Sequence, residues 1–334
     1  MYSIRRASYW YNNVDRIFKL STCARESSGI IGMTVAQVIK NWTDEFQRNK
    51  VPEAEDSIKH ILSSVLGLKN AAHLEIVRNQ ILTQDEHQML LVKADLRLNR
   101  NPVQYIIGEW DFCGLTLKMC HTPPVFIPRP ETEDLVSIAS DIIAQLISFN
   151  EREKSYNPRC FEVGCGSGAI SLALLSKHEK LRCTAIDANP AAVSLARLNS
   201  ELLGLADRVS FSIAKWEEDG AIGLSSLNTT KYDILVSNPP YIPTSEISDL
   251  APEIVRYEPH LALDGGPDGT RVIKHIIQHA PKWLRQGSFI ILEIDPRQTK
   301  MIRLISEECG SYVGEVDVRK DCFGVERFVI LRCK

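Results

Sequence analysis

The sequence predicts an α/β fold: a Rossmann-like, mostly parallel sheet of seven strands, preceded by a small helical bundle. After about residue 131, short apolar runs alternate with helical segments, which is typical of a parallel sheet covered on both faces. Before about residue 101, apolar residues recur at helical spacing. A glycine-rich turn, GCGSG at 164–168, joins the first apolar run of the second part to a helix, which favours an open, doubly wound sheet.

The N-terminus differs in composition from the rest of the chain. Residues 1–30 carry five basic residues against two acidic ones. An arginine-rich, serine-bearing and acid-poor N-terminus is typical of a mitochondrial transit peptide, and a disordered basic tail is the alternative. We therefore expect a location in the mitochondrial matrix, or in the cytoplasm if this segment is not a targeting peptide.

Residues 31–101 are expected to form a helical bundle that recognises a substrate or supports the second domain. Pro52 stands where a first helical residue is common. One apolar stripe at helical spacing follows it: Ile58, Ile61, Leu62, Val65 and Leu66. Thr83 and Glu86 have the spacing of a capping box at the start of another helix.

Residues 102–130 are predicted to form a hairpin linker, and residues 131–334 a catalytic domain. YIIGEWDFCGLTLKM (105–119) has the glycines and alternation of a short hairpin, and PPVFIPRPETE (123–133) is a proline-stiffened link. The predicted strands are RCFEV (159–163), RCTAID (182–187), RVSFSIA (208–214), YDILVS (232–237), SFIILEI (288–294), YVGEVDV (312–318) and RFVILRC (327–333). A helix is expected near 246–256, and the last two strands are expected to pair as a hairpin with one antiparallel strand.

The composition argues against several classes of protein. A formal net charge of −3 gives no large attraction for a nucleic-acid backbone. Nine cysteines, an odd number without a C-x-x-C pair or zinc-ligand spacing, predict free thiols and no metal site. No apolar run approaches the roughly 18 residues that a membrane span needs. We expect a monomer with no membrane partner and no direct nucleic-acid partner.

The glycine-rich turn is a candidate cofactor loop. Its five residues are Gly164, Cys165, Gly166, Ser167 and Gly168. Glycines at these positions allow a sharp turn and a close approach of the backbone to a ligand. Asp187 ends the second strand, where a carboxylate can accept hydrogen bonds from ribose hydroxyls. The pattern also satisfies the dinucleotide form G-x-G-x-x-A, and a tight turn that binds nothing stays an alternative.

NPPY, residues 238–241, follows a buried strand and helps to decide between a dinucleotide site and a methyltransferase site. The two prolines stiffen the segment, because each restricts both itself and the residue before it. The Asn238 side-chain oxygen and the Pro239 carbonyl would accept the two hydrogens of a planar NH₂ group, while Tyr241 forms a flat wall beside Pro240. Hydride transfer to or from a nicotinamide does not need such acceptors, whereas methyl transfer to an NH₂ group does. This methyl transfer requires no general base. NPPY alone does not decide whether the NH₂ group belongs to an adenine or to a glutamine.

These motifs together resemble the release-factor glutamine N5-methyltransferases (PrmC, also called HemK), in the form found in mitochondria. The resemblance covers about residues 33–332. Its distinctive stretches are P-x-Q-Y-I-x-G and IPRPETE, both within 100–136. The others are EVGCGSG, AIDANPAAVSLARLN, VSNPPY and LALDGGPDG. NPPY is shared with adenine-N6 DNA methyltransferases, so it is residues 100–136 that favour glutamine.

The resemblance implies a class I methyltransferase fold that uses S-adenosylmethionine, without a metal. It implies that the substrate is the glutamine of the Gly-Gly-Gln loop in class I peptide chain release factors, with the N-terminal bundle helping to hold the factor.

Site residues carried over by the resemblance fall on both sides of the expected pocket. The loop 164–168 would line the methionine and ribose side, Asp187 would bind the ribose, and Trp216 would lie against the adenine. Residues 238–241 would hold the glutamine amide. The entrance would be shaped by Phe126 and by residues 129–133, including Arg129 and Glu131.

Two departures and two alternatives accompany this hypothesis. Lys215 stands where many members place an acid beside the adenine, and LEIDPRQ (292–298) lacks the His-Gly pair of bacterial members. An adenine-N6 methyltransferase acting on DNA or RNA should bring a basic target-recognition region, whereas the bundle here is not strongly basic. A non-catalytic S-adenosylmethionine sensor would be expected to have lost Asn238 or the glycines.

Overall fold

The computed structural model describes residues 32–150, 156–214 and 231–334. The chain divides into two compact units after Ile107. The predicted transit peptide at 1–30, Lys215 and Trp216 lie outside the described residues. Within the described ranges, no helix is long and apolar enough to cross a bilayer, and no cluster of three or more His, Cys, Asp or Glu side chains is arranged to hold a metal ion. The eight cysteines in these ranges form no disulfide with one another.

The first unit is helical. Its elements are α1 (Val35–Arg48), α2 (Ala54–Val65), a 3-10 helix (Ala71–Glu75), α3 (Gln84–Leu98) and α4 (Val103–Ile107). A capping box opens α1, and the capping box predicted for Thr83 and Glu86 opens α3. The predicted stripe of α2 supplies Ile58, Ile61 and Leu62, all fully buried, to the core of this unit.

The start of α2 differs from the prediction. The helix begins at Ala54 and not at Pro52, because Glu53 between them has a φ of 49°. That value lies in the left-handed region, which cannot continue a right-handed α-helix.

The second unit opens with a hairpin of β1 (Glu109–Phe112) and β2 (Leu115–Lys118). Its two-residue turn, Cys113 and Gly114, has φ values of 49° and 77°, as a type I′ turn requires. The prediction that the hairpin begins near Tyr105 was wrong, because Tyr105 lies in α4. The amide of Tyr105 donates to the Pro102 carbonyl at 3.1 Å, so the proline starts a short helix there.

Seven strands then form the main sheet: β3 (Arg159–Val163), β4 (Arg182–Asp187), β5 (Val209–Ile213), β6 (Tyr232–Ser237), β7 (Leu284–Glu293), β8 (Val313–Lys320) and β9 (Glu326–Cys333). The helices of this unit are α5 (Thr132–Phe149), α6 (Ala169–Lys177), α7 (Pro190–Leu202), α8 (Pro252–Tyr257), α9 (Arg271–His279) and α10 (Thr299–Glu308). Short 3-10 helices lie at Thr244–Asp249, His260–Ala262, Ala280–Lys282 and Pro296–Gln298.

The strand order is β5-β4-β3-β6-β7-β9-β8, with β9 antiparallel to both of its neighbours and the other pairs parallel. This confirms the predicted α/β fold and its single antiparallel strand. The direction in which the chain adds strands reverses between β3 and β6. In open α/β sheets, ligands bind at the carboxyl ends of the strands at such a reversal.

The core of the sheet is aromatic at its centre. Phe161 on β3 stacks on Tyr232 of β6 at 5.0 Å and meets Trp283 edge-on at 5.6 Å. On α9, Ile273, Ile276 and Ile277 are fully buried in the same cluster. Burial of each of these side chains contributes roughly 1.5–3 kcal/mol to the stability of the fold. This packing fixes the positions of β3 and β6, from which the glycine loop and NPPY extend.

The helix predicted near 246–256 is divided into the 3-10 helix Thr244–Asp249 and α8 (Pro252–Tyr257). Ala251 between them is extended, with a ψ of 144°. The cause is Pro252, whose ring disfavours helical geometry in the residue before it.

Candidate active site

A pocket of about 980 Å³, including its mouth, opens at the carboxyl ends of β3, β4 and β6. Seven of the residues predicted from the sequence line it: Phe126, Gly164, Gly166, Asp187, Asn238, Pro239 and Pro240. The candidate cofactor loop and the NPPY segment, 70 residues or more apart in sequence, therefore face one cavity.

The glycine-rich loop turns back sharply at the end of β3. The amides of Gly164 and Cys165 both donate to the carbonyl of Ile186, at 2.8 and 3.0 Å. Gly164 and Gly166 have φ values of 78° and 53°, which favour glycine. A Cβ on Gly166 would meet no other atom within 4 Å. The missing side chain therefore keeps space open for a ligand.

Three other loop residues do not line the pocket. Cys165 and Ser167 are buried, and the Ser167 carbonyl accepts a hydrogen bond from Asn199 Nδ2 at 2.9 Å. A Cβ on Gly168 would lie 3.2 Å from the Cβ of Ala196 on α7. Gly168 thus permits close helix packing, and ligand contacts by these three residues stay a prediction.

Asp187 holds the loop in place. Its Oδ2 accepts from the Gly166 amide and its Oδ1 from the Asn189 amide, both at 2.8 Å. Burial raises the pKa of this carboxyl, while the backbone hydrogen bonds lower it. Each carboxylate oxygen can accept more than one hydrogen bond, so Asp187 can bind a ribose hydroxyl without releasing the loop.

The carboxamide of Asn238 is oriented by a neighbour that the sequence did not reveal. Asn238 Nδ2 donates to Thr132 Oγ1 at 3.1 Å. Asn238 lines the pocket, and no described residue donates to its Oδ1, so this oxygen is available as a hydrogen-bond acceptor. A Cβ on Gly164 would lie 3.8 Å from the backbone oxygen of Asn238, so the two loops are in contact.

Tyr241, predicted to wall the substrate, does not line the pocket. Its hydroxyl donates to Glu293 Oε1 at 3.3 Å, and its carbonyl accepts from Gln298 Nε2 at 2.8 Å. Burial, reinforced by the Glu293 charge, raises the pKa of the phenol, which keeps it a donor. Tyr241 therefore anchors NPPY, and its contact with a substrate stays a prediction.

The segment DGGPDG, residues 264–269, packs against NPPY and against Ile242, which follows it. The Ile242 amide donates to the Leu263 carbonyl at 3.0 Å, and the Gly265 amide donates to the Ile242 carbonyl at 2.8 Å. A Cβ on Gly269 would overlap the Tyr241 carbonyl oxygen and the Gln298 amide. Glycine is therefore required at residue 269 if the loop is to lie against NPPY.

The wall formed by Phe126 is braced by an ion pair. The Arg129 guanidinium lies 4.7 Å above the Phe126 ring, and its Nη2 is 2.5 Å from Glu258 Oε1. The Glu258 side chain is 1% exposed, and its second oxygen accepts from the Ile127 amide at 3.3 Å. Arg129 and Glu131 do not line the pocket, and Glu131 makes no side-chain hydrogen bond as the N-cap of α5.

Glu162, beside the glycine loop on β3, is a buried acid that the sequence analysis did not single out. Its Oε2 accepts from the hydroxyl and amide of Ser171, and no described residue donates to its Oε1. Burial raises the pKa of this carboxyl to about 8, which the Asp187 charge reinforces and the Ser171 hydrogen bonds oppose.

Replacing Glu162 by glutamine should flatten the dependence of stability on pH. The pKa of the carboxyl is raised from 4.5 in the unfolded chain to about 8 in the folded one. Between these two pKa values the folded state binds a proton that the unfolded chain has lost. The free energy of unfolding therefore decreases as the pH rises from about 4.5 to about 8, by up to about 1.4 kcal/mol per pH unit. Urea unfolding at pH 5.5 and 8 measures this. An equal pH dependence in wild type and Glu162→Gln would contradict it.

Comparison with known proteins matches a different family model to each of the two units. Residues 37–108 match the PrmC N-terminal domain model, and residues 132–267 match the Methyltransferase small domain model. The catalytic domain of hMettl16, solved with an RNA hairpin, has the same fold, with a TM-score of 0.50 at 16% identity over 75% of this chain and 81% of that one.

Full-length relatives carry the assignment further. MTRF1L release factor glutamine methyltransferase of Homo sapiens is 40% identical over 298 residues, which cover 89% of this chain and 86% of the relative. Release factor glutamine methyltransferase of Synechocystis sp. is 34% identical over 69% of this chain and 73% of the relative. With identity of this extent, and with Asn238 and the glycine loop facing one pocket, the chain belongs to the family of release factor glutamine methyltransferases.

Proposed function

We propose that this protein transfers a methyl group from S-adenosylmethionine to the side-chain nitrogen of the glutamine in the Gly-Gly-Gln loop of a class I peptide chain release factor. The observation that carries the proposal is the Asn238 carboxamide. Its NH₂ is engaged by Thr132, so its oxygen is left to accept a hydrogen from a planar substrate NH₂. Family membership supports the choice of glutamine over adenine.

The pocket residues fit S-adenosylmethionine. Open space above Gly166 lets the backbone approach a ligand, and Asp187, at the end of β4, offers acceptors to ribose hydroxyls. Asn238 lines the same cavity, and its backbone lies next to Gly164. When bound, the cofactor would supply an electrophilic methyl group. The glutamine nitrogen would form a bond to the methyl carbon, the electron pair of the broken carbon–sulfur bond would stay on sulfur, and the nitrogen would release one proton to solvent.

The protein's part in the reaction is positioning and charge stabilisation. Asn238 Oδ1 and the Pro239 carbonyl accept the two N–H groups of the glutamine and hold its nitrogen in one orientation. Positive charge that builds on that nitrogen is stabilised by both oxygens. The prolines keep these acceptors rigid before the substrate arrives, so little reorganisation is needed during the reaction.

The protein substrate enters beside Phe126 in this proposal. The Phe126 ring lies under the Arg129 guanidinium, and the buried Glu258 holds Arg129 in place. A rigid apolar wall of this kind suits contact with the methylene groups of a glutamine side chain that enters the pocket. Arg129 and Glu131 would contact residues that flank the glutamine, and the helical first unit would hold another part of the release factor.

The proposed location is the mitochondrial matrix, and the proposed state is a monomer. The basic, acid-poor composition of residues 1–30 supports the location. A fusion of these residues to a fluorescent reporter tests it directly, and a reporter that stays in the cytosol would overturn it.

Mass spectrometry of a release factor incubated with the protein and S-adenosylmethionine tests the function. We expect a mass gain of one methyl group, mapped to the glutamine of Gly-Gly-Gln. A release factor with that glutamine changed to alanine is the matched control and should gain nothing. An unmodified release factor, together with methylated adenine in DNA or RNA offered in parallel, would reverse the assignment of the substrate.

A further inference from the structure

Three motifs that are far apart in sequence meet in one hydrogen-bonded chain behind the pocket. Thr132 comes from IPRPETE, Asn238 and Tyr241 from NPPY, and Glu293 from LEIDPRQ. Asn238 Nδ2 donates to Thr132 Oγ1 at 3.1 Å, and the Thr132 hydroxyl donates to Glu293 Oε2 at 2.8 Å. Tyr241 donates to the other Glu293 oxygen at 3.3 Å. Glu293 is 1% exposed and Thr132 is 2% exposed, so water does not compete for these bonds.

We infer that Glu293 is a positioning residue that, through the hydroxyl of Thr132, sets which end of the Asn238 carboxamide faces the substrate. The inference deepens the proposed function and rests on it. The oxygen and the NH₂ group of a carboxamide are similar in size. Steric contacts alone would therefore allow the Asn238 carboxamide either of two orientations, related by a 180° rotation of the group. Only the orientation with its oxygen toward the pocket accepts a hydrogen from the glutamine NH₂.

The direction follows from counting protons. A hydroxyl has one hydrogen to donate, and an ionised carboxylate only accepts. Because the Thr132 hydrogen is given to Glu293, the Thr132 oxygen can only accept from Asn238, and the group that Asn238 turns toward it must be the NH₂. Its oxygen is then directed to the pocket. Apolar side chains around the site could not impose this choice.

Protonation of Glu293 weakens the arrangement. A protonated carboxyl carries one hydrogen, so it must donate to one of its two neighbours instead of accepting from both. When it donates to Thr132, the Thr132 hydrogen turns to Asn238, whose carboxamide must rotate and present its NH₂ to the substrate NH₂. Two donors then face each other, and the acceptor needed for methyl transfer is lost.

The groups around Glu293 shift the pKa of its carboxyl in opposite directions. The pKa of this carboxyl is raised to about 7, mainly by burial and in smaller part by the nearby acid Glu131. The Thr132 and Tyr241 hydrogen bonds and the Arg327 guanidinium on β9 lower it. Arg327 Nε is itself paired with Asp321 Oδ2 at 2.7 Å, so part of its charge is already compensated. The carboxylate is therefore ionised in mildly alkaline solution, and a fraction of it is neutral just below neutrality.

Thr132→Val tests the inference, because valine keeps the shape of threonine and removes only the hydroxyl. We expect kcat for release-factor methylation to fall at least tenfold, with the affinity for S-adenosylmethionine unchanged by calorimetry. Thr132→Ser, which keeps the hydroxyl, should stay within about threefold of wild type. Thr299→Val is the matched control and should keep wild-type kcat. The Thr299 hydroxyl likewise lies within hydrogen-bond distance of a glutamate, Glu326 Oε2 at 3.1 Å, and it is also 3.0 Å from the Pro296 carbonyl.

The pH profile supplies a readout that a purely structural role of Thr132 would not change. Wild-type kcat should decline as the pH falls through about 7, and Glu293→Gln should remove that decline because its carboxamide does not titrate. A wild-type enzyme that methylates the glutamine while Thr132→Val keeps full kcat and the same pH profile would overturn the inference alone. A wild-type protein that does not methylate the glutamine would overturn the proposed function instead.

Discussion

Replacing Asn238 by alanine is expected to lower kcat for glutamine methylation by about 10²–10³-fold, the usual cost of removing one preorganised hydrogen-bonding group from a site where charge develops. The Asn238 side-chain oxygen is the acceptor that the carboxamide leaves at the pocket once its nitrogen binds Thr132. Alanine removes this oxygen and leaves the backbone path of NPPY in place. Initial rates of methyl incorporation into a release factor, with both substrates saturating, measure the change.

The control for this variant is Asn150→Ala. The Asn150 carboxamide also donates to a neighbour, the Leu146 carbonyl at 2.8 Å, but it lies at the opposite end of α5 from Thr132. The Asn150→Ala variant should keep wild-type kcat. Asn238→Ala should lose about 1 kcal/mol of stability, because the Thr132 hydroxyl loses one partner. A kcat within threefold of wild type for Asn238→Ala would contradict the role assigned to its oxygen.

The parts of the site that the sequence predicted are those encoded by short consecutive stretches. The glycine loop, Asp187 at the end of β4 and NPPY at the end of β6 each combine a strand pattern with the turn that follows it. Parallel strands bring their carboxyl ends to one edge, so the strand order places these three features around one pocket. No knowledge of side-chain packing is needed for that step.

The parts that the sequence did not predict depend on contacts between distant segments. Thr132 and Asn238 are 106 residues apart, and Thr132 and Glu293 are 161 residues apart. Periodicity reports which face of an element is buried, and it does not report which polar group lies opposite another across a sheet. IPRPETE and LEIDPRQ were recognisable as unusual stretches, but the single residues that matter in them emerge only once α5 and β7 are packed beside β6.

Local predictions failed where the backbone adopted geometry that side-chain pattern does not reveal. Pro52 was expected to open α2, and the left-handed Glu53 moves the start to Ala54. The helix expected near 246–256 is broken at Ala251 by the proline that follows it. In the glycine loop, Gly164 and Gly166 line the cavity while Cys165 and Ser167 are buried, and ligand contacts by the two buried residues stay a prediction.

Replacing Gly269 by alanine should cost the protein about 2–5 kcal/mol of stability and most of its activity. Gly269 has a φ of 76°, where a residue with a side chain pays roughly 1–2 kcal/mol. Its Cβ would also overlap the Tyr241 carbonyl and the Gln298 amide, which adds about 1–3 kcal/mol for overpacking. A typical domain is stable by only about 5–15 kcal/mol, so the loss is large. Urea unfolding and initial rates measure the two effects.

The effect on activity has a separate cause from the effect on stability. The Tyr241 carbonyl accepts from Gln298 Nε2 at 2.8 Å, and a side chain on Gly269 must break that bond or displace NPPY. A shift of about 1 Å in a reacting group can cost 10²-fold in rate. Gly287→Ala isolates the contribution of φ, because Gly287 has a φ of 78° and a Cβ there meets nothing within 4 Å. It should lose about 1–2 kcal/mol and keep its kcat. Equal losses of kcat in the two variants would show that the contact between Gly269 and NPPY does not position the acceptors.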